Sequence, residues 1–350
     1  MPTNTKRIFY VETLMSPEYE RVIASRPDVD LRNLTYHTPE IEAAPVLQAA
    51  HGYQVSAARD ELPEHWWGTA PLIAQAPNLL VVSSNGAGYD TIDVEACTKA
   101  GVLAVNQAGG NREAVAEHVL GLMLALTKRI AGTDHFMRRQ ANIPRTEFKG
   151  HDLMGRVVGI IGFGHVGSRV AELCRGLFRM RVLACDPFLS ADEVAARGGE
   201  KVELDALLAQ AHYVSVNCPL TPQTRRMIGA REFALMQPGT IFINTARGFI
   251  HHEGALADAL GSGHLAGAGL DVWDKEPPPP DHPLLTFDNV LASPHTGGVT
   301  VESRDNIARI AAEQMLEILD GHRPPRLLNP EVWAVYRTRF RAIMGHDADP

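Results

Sequence analysis

With 350 residues, the chain has room for two domains of ordinary size. Hydrophobic residues make up 45% of it and charged residues 21%, a balance that supports a large buried core and excludes a disordered polymer. The formal net charge of −8 argues against a general nucleic-acid surface, and against an anionic membrane, as a partner.

The cysteines and the N-terminal sequence indicate the cellular compartment in which we expect the protein. The four cysteines are scattered and form no C-x-x-C pair, which argues against a disulfide framework or a zinc site and fits a reducing cytosol. No apolar run of signal-peptide length opens the chain, and the most apolar helical stretch, Val119–Leu126, is too short to cross a bilayer. We therefore expect a soluble, cytoplasmic protein without a bound metal.

Short apolar or β-branched runs alternate with helical patterns along most of the chain. The predicted strands are Arg7–Val11, Leu79–Ser83, Val102–Val105, Val157–Ile161, Arg181–Cys185, Tyr213–Asn217, Thr240–Asn244, Gly267–Val272 and Val290–Ala292. The predicted helices between them are Glu40–Ala50, Asp93–Ala100, Val166–Phe178, Leu204–Ala211 and Glu253–Leu260. Near-continuous apolar strands separated by helices predict parallel sheets covered on both faces, and so an α/β protein.

Two longer helical stretches, Arg112–Arg129 and Val299–Leu319, interrupt this rhythm. A long helix crossing from one lobe to another would explain each of them. We therefore expect one lobe from residue 1 to about 110, completed by residues 299–350, and a second lobe over 111–298. The segment Ala131–His151 is polar and predicts irregular structure.

A nucleotide fingerprint opens the second lobe. The stretch from Val157 is an apolar strand, then G-x-G-x-x-G, then a helical run. The first glycine allows a tight turn, the second lets the backbone approach a pyrophosphate, and the third lets the helix pack close to its strand. The start of the helix offers free N–H groups and a partial positive charge. The predicted cofactor-binding residues of this stretch are Gly162, Gly164, His165, Val166 and Gly167.

An acidic residue follows the next predicted strand. Asp186 lies 19 residues beyond Gly167, where a carboxylate would accept hydrogen bonds from the adenosine ribose and repel a 2′-phosphate. This spacing favours NAD over NADP as cofactor. The alternative is that the glycines only form a tight βα turn and that Asp186 only begins a loop.

Three polar residues end further strands of the same lobe. Arg247, Glu276 and His295 each come just beyond a predicted strand. Ligands bind outside the carboxyl ends of the strands in an open parallel sheet, where the glycine-rich turn also lies. A cation, a carboxylate and a histidine facing one nicotinamide would form a redox site.

Five motifs together resemble the D-isomer-specific 2-hydroxyacid dehydrogenase family, with a match from about Leu79 to Pro330. They are Val158–Gly167, Pro219–Thr224, Asn244–Gly248, Leu270–Pro277 and Ser293–Gly298. The resemblance implies a discontinuous, flavodoxin-like substrate domain and a Rossmann NAD-binding domain. It also implies a homodimer formed through the NAD-binding domain.

The resemblance assigns roles to the three polar residues. Arg247 would bind the carboxylate of a small 2-oxo or D-2-hydroxy acid and help to polarise its carbonyl, a role that suits a guanidinium group. His295 would give a proton to the carbonyl oxygen as hydride arrives, and remove it in the oxidation direction. Glu276 would pair with His295 and raise the pKa of its imidazole. The prolines Pro277–Pro280 would stiffen the loop that carries Glu276.

The resemblance also implies further binding residues. Asp271 would contact the nicotinamide carboxamide, and Cys218 and Pro219 would line the nicotinamide side of the pocket. The remaining predicted cofactor contacts are Thr224, Ala246, His295 itself and Gly298. The predicted substrate loop, whose N–H groups would bind the substrate carboxylate, comprises Asn85, Gly86, Ala87 and Gly88. An ordinary glycine-rich turn before the helix from Asp93 is the alternative there.

Departures from the family pattern bear on the substrate. Phosphoglycerate dehydrogenases carry an arginine where this chain has Ser84, so a phosphoglycerate substrate is the weaker alternative. Formate dehydrogenases carry glutamine where this chain has Glu276. Gln107 stands where relatives commonly have threonine. An NAD(H)-binding corepressor, which acts through protein partners on the same scaffold, is the alternative from a different functional class.

Overall fold

The computed structural model describes residues 5–139 and 145–350. Contacts between Cα atoms divide the chain into two compact units, one formed by Met1–Asn111 with Thr300–Pro350, and the other by Arg112–Val299. None of the helices within the described ranges is both long and apolar enough to cross a membrane.

The first unit is built on a parallel sheet of five strands. In chain order they are β1 (Lys6–Val11), β2 (Val29–Leu34), β3 (Gly52–Val55), β4 (Val81–Ser84) and β5 (Leu103–Val105). Their order in the sheet is β2-β1-β3-β4-β5, which is the predicted flavodoxin-like arrangement. The helices between them are α1 (Glu18–Ile23), α2 (Glu40–Ala49), α3 (Ala70–Gln75) and α4 (Val94–Ala100), with a 3-10 turn at Glu64–Trp66.

The second unit is built on a parallel sheet of seven strands. They are β6 (Val157–Ile161), β7 (Arg181–Cys185), β8 (Glu200–Lys201), β9 (Tyr213–Val216), β10 (Thr240–Asn244), β11 (Leu265–Leu270) and β12 (Val290–Ala292). The order β12-β11-β10-β9-β6-β7-β8 reverses direction at β6, as in a Rossmann fold, and confirms the predicted class. Its helices are α5 (Arg112–Thr127), α6 (Ile130–Met137), α7 (His165–Phe178), α8 (Ala191–Ala196), α9 (Leu204–Gln210), α10 (Ala230–Leu235) and α11 (Glu253–Gly261).

The end of the chain completes the first unit. Helix α12 (Val301–Leu319) lies on one face of its sheet and α13 (Trp333–Met344) follows it, so that Met315, Tyr336 and Phe340 are fully buried there. The fully buried side chain of Asn329 accepts a hydrogen bond from Ala104 N at 2.9 Å and donates one to Val102 O at 3.0 Å. The last fifty residues are therefore part of the core that surrounds β5.

Three expectations about the helices were wrong. Neither long helix crosses between the units, because α5 lies wholly in the second and α12 wholly in the first. Helix α5 ends early since Arg129 adopts a left-handed backbone, with φ of 56°. The segment predicted to be irregular contains α6 and a 3-10 turn at Arg145–Phe148, while its residues 140–144 lie outside the described residues. No side chain of α6 is buried, and its apolar residues Ile130 and Met137 are exposed, so the helix contributes nothing to the core of its unit.

Strands β2, β3 and β8 were not predicted. β2 is an edge strand with polar residues at half of its positions, and β8 has only two residues, so neither carries a run of apolar residues. Arg339, on α13, is half-buried because it donates hydrogen bonds to Leu79 O and Pro77 O at 2.9 and 2.6 Å. Its guanidinium therefore supports a turn of the first unit and does not form part of a solvated face.

A cluster of four charges joins the two ends of the first unit. The largely buried ammonium of Lys6 contacts Asp28 and Asp320, and Arg26 donates to both oxygens of Asp320 at 2.8 and 3.0 Å. The hydrogen bonds from Arg26 lower the pKa of Asp320 to about 2, against the opposing effect of burial. The cluster fixes the loop after α12 beside β1.

Replacing Asp320 by asparagine should lower the free energy of unfolding by about 1–3 kcal/mol at pH 7, because Lys6 and Arg26 then share Asp28 as their one remaining carboxylate in the cluster. The depressed pKa means that this stabilisation is fully present above pH 3.8 and is lost as pH falls through 2, so the difference should be smaller at pH 3 than at pH 7. Urea titrations at pH 7 and pH 3 measure it. Asp347→Asn is the control, since Asp347 pairs with Arg341 at 3.5 Å in an exposed position. Equal effects of the two substitutions would contradict the prediction.

Candidate active site

The glycine loop connects β6 to α7. Gly162 has φ of +87°, and a Cβ there would lie 2.6 Å from Cys218 N; a Cβ on Gly167 would lie 2.1 Å from Gly162 O. Both positions therefore require glycine for the packing of the chain itself. A Cβ on Gly164, in contrast, meets no heavy atom within 4 Å among the described residues. The open space beside Gly164, next to a helix start without a side-chain cap, fits the pyrophosphate of a dinucleotide.

Asp186 lies directly beside this loop. One of its carboxylate oxygens accepts a hydrogen bond from Phe163 N at 2.8 Å, and the other accepts one from Phe188 N at 2.9 Å. The side chain is partly exposed, and each oxygen has a further lone pair. The carboxylate is thus held at the end of β7, where a ribose hydroxyl could donate to it.

Cys218, Pro219 and Thr224 belong to the turn after β9. Thr224 Oγ1 donates to Pro219 O at 2.7 Å, and Thr221 N donates to Thr224 Oγ1 at 2.7 Å, so the threonine side chain holds the turn together. Cys218 packs against Gly162, and burial raises the pKa of its thiol to about 11. A thiol with this pKa is unsuited to nucleophilic chemistry near neutral pH.

Arg247 follows β10 at the same edge of the sheet. Its Nη1 donates to Ala246 O at 2.7 Å, and Ala246 N donates to Asn244 Oδ1 at 2.9 Å. Gly248 must be glycine, because a Cβ there would lie 2.1 Å from the carbonyl of Trp273. The close approach brings the segment after β10 against the segment after β11, which carries Glu276.

His295 and Glu276 form a hydrogen-bonded pair. His295 Nδ1 and Glu276 Oε2 are 2.7 Å apart, and Trp273 N donates to the other carboxylate oxygen at 3.0 Å. The hydrogen bond with Glu276 raises the pKa of His295, although burial and the charge of Arg247 oppose the rise. For Glu276, burial acts most strongly and raises the pKa, but the hydrogen bond and charge of His295, the bond from Trp273 N and the charge of Arg247 together outweigh it, and the net shift is downward. The pair therefore favours imidazolium beside carboxylate.

The imidazole is accessible from outside. The His295 side chain is 40% exposed, and Glu276 occupies its Nδ1, so Nε2 is the ring nitrogen left to face a substrate. The loop after Glu276 contains the four prolines, and His282 N donates to Pro279 O at 2.9 Å within it. The stiffening role of these prolines stays a prediction.

Asp271 and Gly298 lie beside this pair in the same unit. Asp271 is 1% exposed, and its carboxylate accepts hydrogen bonds from Thr296 N and Gly297 N, both at 2.8 Å. Asp271, the predicted nicotinamide contact, is thus also hydrogen-bonded to the loop that carries His295. Sequence reasoning missed the contacts of Thr296 and Gly297, although both lie within a motif that it used.

The predicted substrate loop lies in the first unit, after β4. Among the described residues, the N–H groups of Gly86, Ala87 and Gly88 donate to no protein acceptor, while Asn85 N donates to Val55 O at 2.7 Å. The carboxamide oxygen of Asn85 is buried without a hydrogen-bond partner. Three neighbouring free amides fit the predicted anion-binding turn.

Gln107 and Asn106 hold this loop in place. Gln107 N donates to Gly86 O at 2.9 Å, and its Nε2 donates to Ser84 O at 2.8 Å. Asn106 Nδ2 donates to Ala87 O at 2.7 Å, and the hydroxyl of Ser84 donates to Gly88 O. The carbonyls of Ser84, Gly86, Ala87 and Gly88 are thus all hydrogen-bonded, which fixes the conformation of the loop. Sequence reasoning identified Gln107 only as a departure from the family and missed these contacts.

Metal-binding geometry is not found in the described part of the chain, where no three His, Cys, Asp or Glu side chains form a group that could hold an ion. His251 is fully buried beside Asn244, and burial lowers the pKa of its imidazole to about 4. All four cysteines are free thiols.

The sheet order, the open glycine loop, the acidic residue after β7 and the histidine–carboxylate pair define a dinucleotide-binding oxidoreductase fold. The family model for the D-isomer specific 2-hydroxyacid dehydrogenase NAD binding domain matches residues 120–297. The chain belongs to the D-isomer-specific 2-hydroxyacid dehydrogenase family, and its cofactor is a nicotinamide dinucleotide.

Individual relatives agree with this family. A glyoxylate reductase of Aeropyrum pernix is 38% identical over 276 residues, covering 77% of this chain and 82% of the relative. A D-3-phosphoglycerate dehydrogenase of Archaeoglobus fulgidus is 40% identical over 252 residues, covering 72% of this chain but only 47% of the relative. The chain thus spans about half the length of that relative. The D-lactate dehydrogenase of Aquifex aeolicus, solved with NAD and lactic acid, has a TM-score of 0.74 and 26% identity, covering 90% of this chain and 96% of that one.

Proposed function

We propose that this protein is an NAD-dependent oxidoreductase that interconverts a small D-2-hydroxy acid and the corresponding 2-oxo acid. The observation that carries the proposal is the His295–Glu276 pair, 2.7 Å apart, at the sheet edge that also holds the glycine loop. The second unit serves as the NAD-binding domain, as its family match supports, and the first unit serves as the substrate domain.

His295 moves the proton. The bound nicotinamide dinucleotide supplies or accepts the hydride at the substrate carbon. In reduction, His295 Nε2 gives its proton to the carbonyl oxygen, which becomes the hydroxyl of the product; in oxidation the neutral imidazole takes that proton back. Glu276 remains ionised throughout and stabilises the imidazolium through Nδ1.

Arg247 supplies the positive charge that the substrate needs. Its guanidinium would bind the carboxylate of the 2-oxo acid with two parallel hydrogen bonds and draw electron density from the adjacent carbonyl. The free amides of Gly86, Ala87 and Gly88, in the first unit, would form an anion-binding turn of their own. Binding by Arg247 orients the substrate before the chemical step.

The substrate is a small 2-oxo acid without a phosphate group. The uncharged Ser84 stands where phosphoglycerate dehydrogenases carry an arginine, and its hydroxyl is engaged with Gly88 O. The similarity to a glyoxylate reductase over most of both chains also supports a substrate without a phosphate group.

The test of the substrate class is NADH consumption with a panel containing glyoxylate, hydroxypyruvate, phosphohydroxypyruvate and alkyl- and aryl-pyruvates. Turnover of the phosphorylated acid alone would overturn the substrate class. Tight NADH binding without any turnover would favour the corepressor alternative.

NAD is preferred over NADP because Asp186 occupies the position of the 2′-phosphate. Asp186→Asn keeps an acceptor for Phe163 N but removes the negative charge, so the ratio of kcat/KM for NADPH to that for NADH should rise about tenfold or more. Steady-state assays with both cofactors measure the ratio. Asp192→Asn, an exposed carboxylate on α8, is the control. An unchanged ratio in Asp186→Asn would remove Asp186 from the ribose site.

A homodimer formed through the NAD-binding domain is part of this proposal. Helix α6 buries none of its side chains within the chain, and Ile130 and Met137 on it are 57% and 65% exposed. A cleft of about 1210 Å³ lies between this helix and the starts of strands β10 and β12. A partner that covered α6 would remove these apolar side chains from water. Light scattering at micromolar concentration should therefore give twice the mass of the chain, and a monomer would refute the dimer.

A cytoplasmic location is also part of the proposal, and the four free thiols support it.

A further inference from the structure

The backbone of His295 has an unusual conformation that neighbouring groups must stabilise. Its φ is 57°, in the left-handed region, which is unfavourable for a residue with a side chain. His295 N donates to Asp271 O at 2.7 Å. The next two amides, Thr296 N and Gly297 N, donate to the two carboxylate oxygens of Asp271, both at 2.8 Å. Three consecutive N–H groups of the loop are therefore bound by one residue.

Asp271 is in turn bound by a serine and a histidine. Ser293 Oγ donates to Asp271 Oδ1 at 2.6 Å, and His118 Nε2 lies 3.0 Å from the same hydroxyl. A serine hydroxyl has one hydrogen, which the carboxylate takes, so the contact with His118 must use a hydrogen on Nε2. A chain of hydrogen bonds thus runs from His118 on α5 through Ser293 to the buried carboxylate.

Gly297 packs closely against this network. A Cβ on Gly297 would lie 2.8 Å from Asp271 Oδ2 and 3.3 Å from the His118 ring, so any other residue would push the carboxylate or the histidine aside. Asp271 itself is 1% exposed, and a carboxylate buried to that extent needs its donors. The close packing of Gly297 on Asp271 and His118 therefore supports the hydrogen bonds between the loop and Asp271.

We propose that His118, Ser293 and Asp271 are positioning residues, which hold the loop so that the Nδ1 of His295 meets Glu276. This inference rests on the proposed function, in which His295 is the acid, and gives Asp271 a role beyond contact with nicotinamide. If the chain of hydrogen bonds is broken, the left-handed turn relaxes and His295 spends less time paired with Glu276. The charged groups that act on His295 are Glu276, Arg247 and Asp271, and all three remain when Ser293 or His118 is replaced.

The test compares Ser293→Ala with Ser293→Thr, which keeps the hydroxyl, and His118→Leu with His118→Gln, which keeps a donor. Ser293→Ala and His118→Leu should each lower kcat about tenfold, the equivalent of one hydrogen bond, with the dissociation constant of NADH within twofold of wild type. The pH at which reduction declines should also move to lower values, because the pairing that raises the pKa of His295 is weakened. The threonine and glutamine variants should stay close to wild type.

The titration of the His295 imidazole, followed by NMR and assigned with His295→Gln, reports the same geometry without a need for turnover. A wild type inactive on every 2-oxo acid would refute the proposed function, whereas this titration would still decide the positioning role. An unchanged titration in Ser293→Ala and His118→Leu would overturn the inference, as would a loss confined to NADH binding. Thermal melting identifies a variant that fails to fold, and His118, which is partly exposed, then provides the independent variant.

Discussion

Replacement of His295 by glutamine should lower kcat for reduction of a 2-oxo acid by about 10²–10⁴-fold, the usual contribution of a general acid. Glutamine can still hydrogen-bond to Glu276, but it carries no titratable proton. The glycine loop and Asp186 are untouched, so the dissociation constant of NADH should change by less than about threefold. Stopped-flow NADH oxidation and the fluorescence of bound NADH measure the two quantities.

Two further variants serve as comparisons for His295→Gln. His346→Gln alters an exposed histidine of the first unit and should leave kcat unchanged. Glu276→Gln keeps His295 but removes the carboxylate that raises its pKa, so the decline of reduction with rising pH should begin at lower pH. Full activity of His295→Gln would exclude His295 as the acid.

Replacement of Arg247 by glutamine should lower kcat/KM for a 2-oxo acid by about 10³-fold, since the substrate carboxylate loses a charged, bidentate partner. Arg247→Lys should recover only a part of this loss, because an ammonium group cannot form two parallel hydrogen bonds. Arg225→Gln is the matched control: Arg225 stacks on Phe249, 4.5 Å from the ring centre, and has no proposed contact with the substrate.

The pH profile gives Arg247→Gln a second, independent readout. The charge of Arg247 lowers the pKa values of both His295 and Glu276. Its removal should therefore raise the pKa of His295 and carry the decline of reduction to higher pH, opposite to the shift in Glu276→Gln. Profiles of kcat against pH for the two variants test the signs. Shifts in the same direction would contradict the placement of Arg247 beside the pair.

Sequence reasoning succeeded where a residue type is required by local chemistry. The G-x-G-x-x-G stretch, with a strand before it and a helix after it, predicts a βα turn, and strands that are apolar throughout predict a parallel sheet. The segments that carry Arg247, Glu276 and His295 follow strands β10, β11 and β12, so the carboxyl edge of the sheet brings them together. These features depend on short stretches of sequence and on the direction of the strands.

The features that sequence reasoning missed depend on contacts between distant segments. Helix α6 has no buried side chain, so its apolar residues Ile130 and Met137 do not mark a core contact, and β2, at the edge of its sheet, has polar residues at half of its positions. The bond between His118 and Ser293 joins residues 175 positions apart. The left-handed backbone of His295 could not be predicted from the sequence. The residue type at position 295 does not by itself indicate this conformation.

The discontinuity of the first unit has a consequence for biosynthesis. Residues up to Asn111 emerge first, but α12, Asn329 and α13, which cover the sheet around β5, emerge only after all of the second unit. Until then Leu103 and Val105, both fully buried in the finished protein, have an uncovered face. The second unit is continuous and can fold on the ribosome as soon as Val299 has left the exit tunnel. The part of the protein that is made first is thus the last to be finished, and chaperones and proteases have access to it throughout that interval.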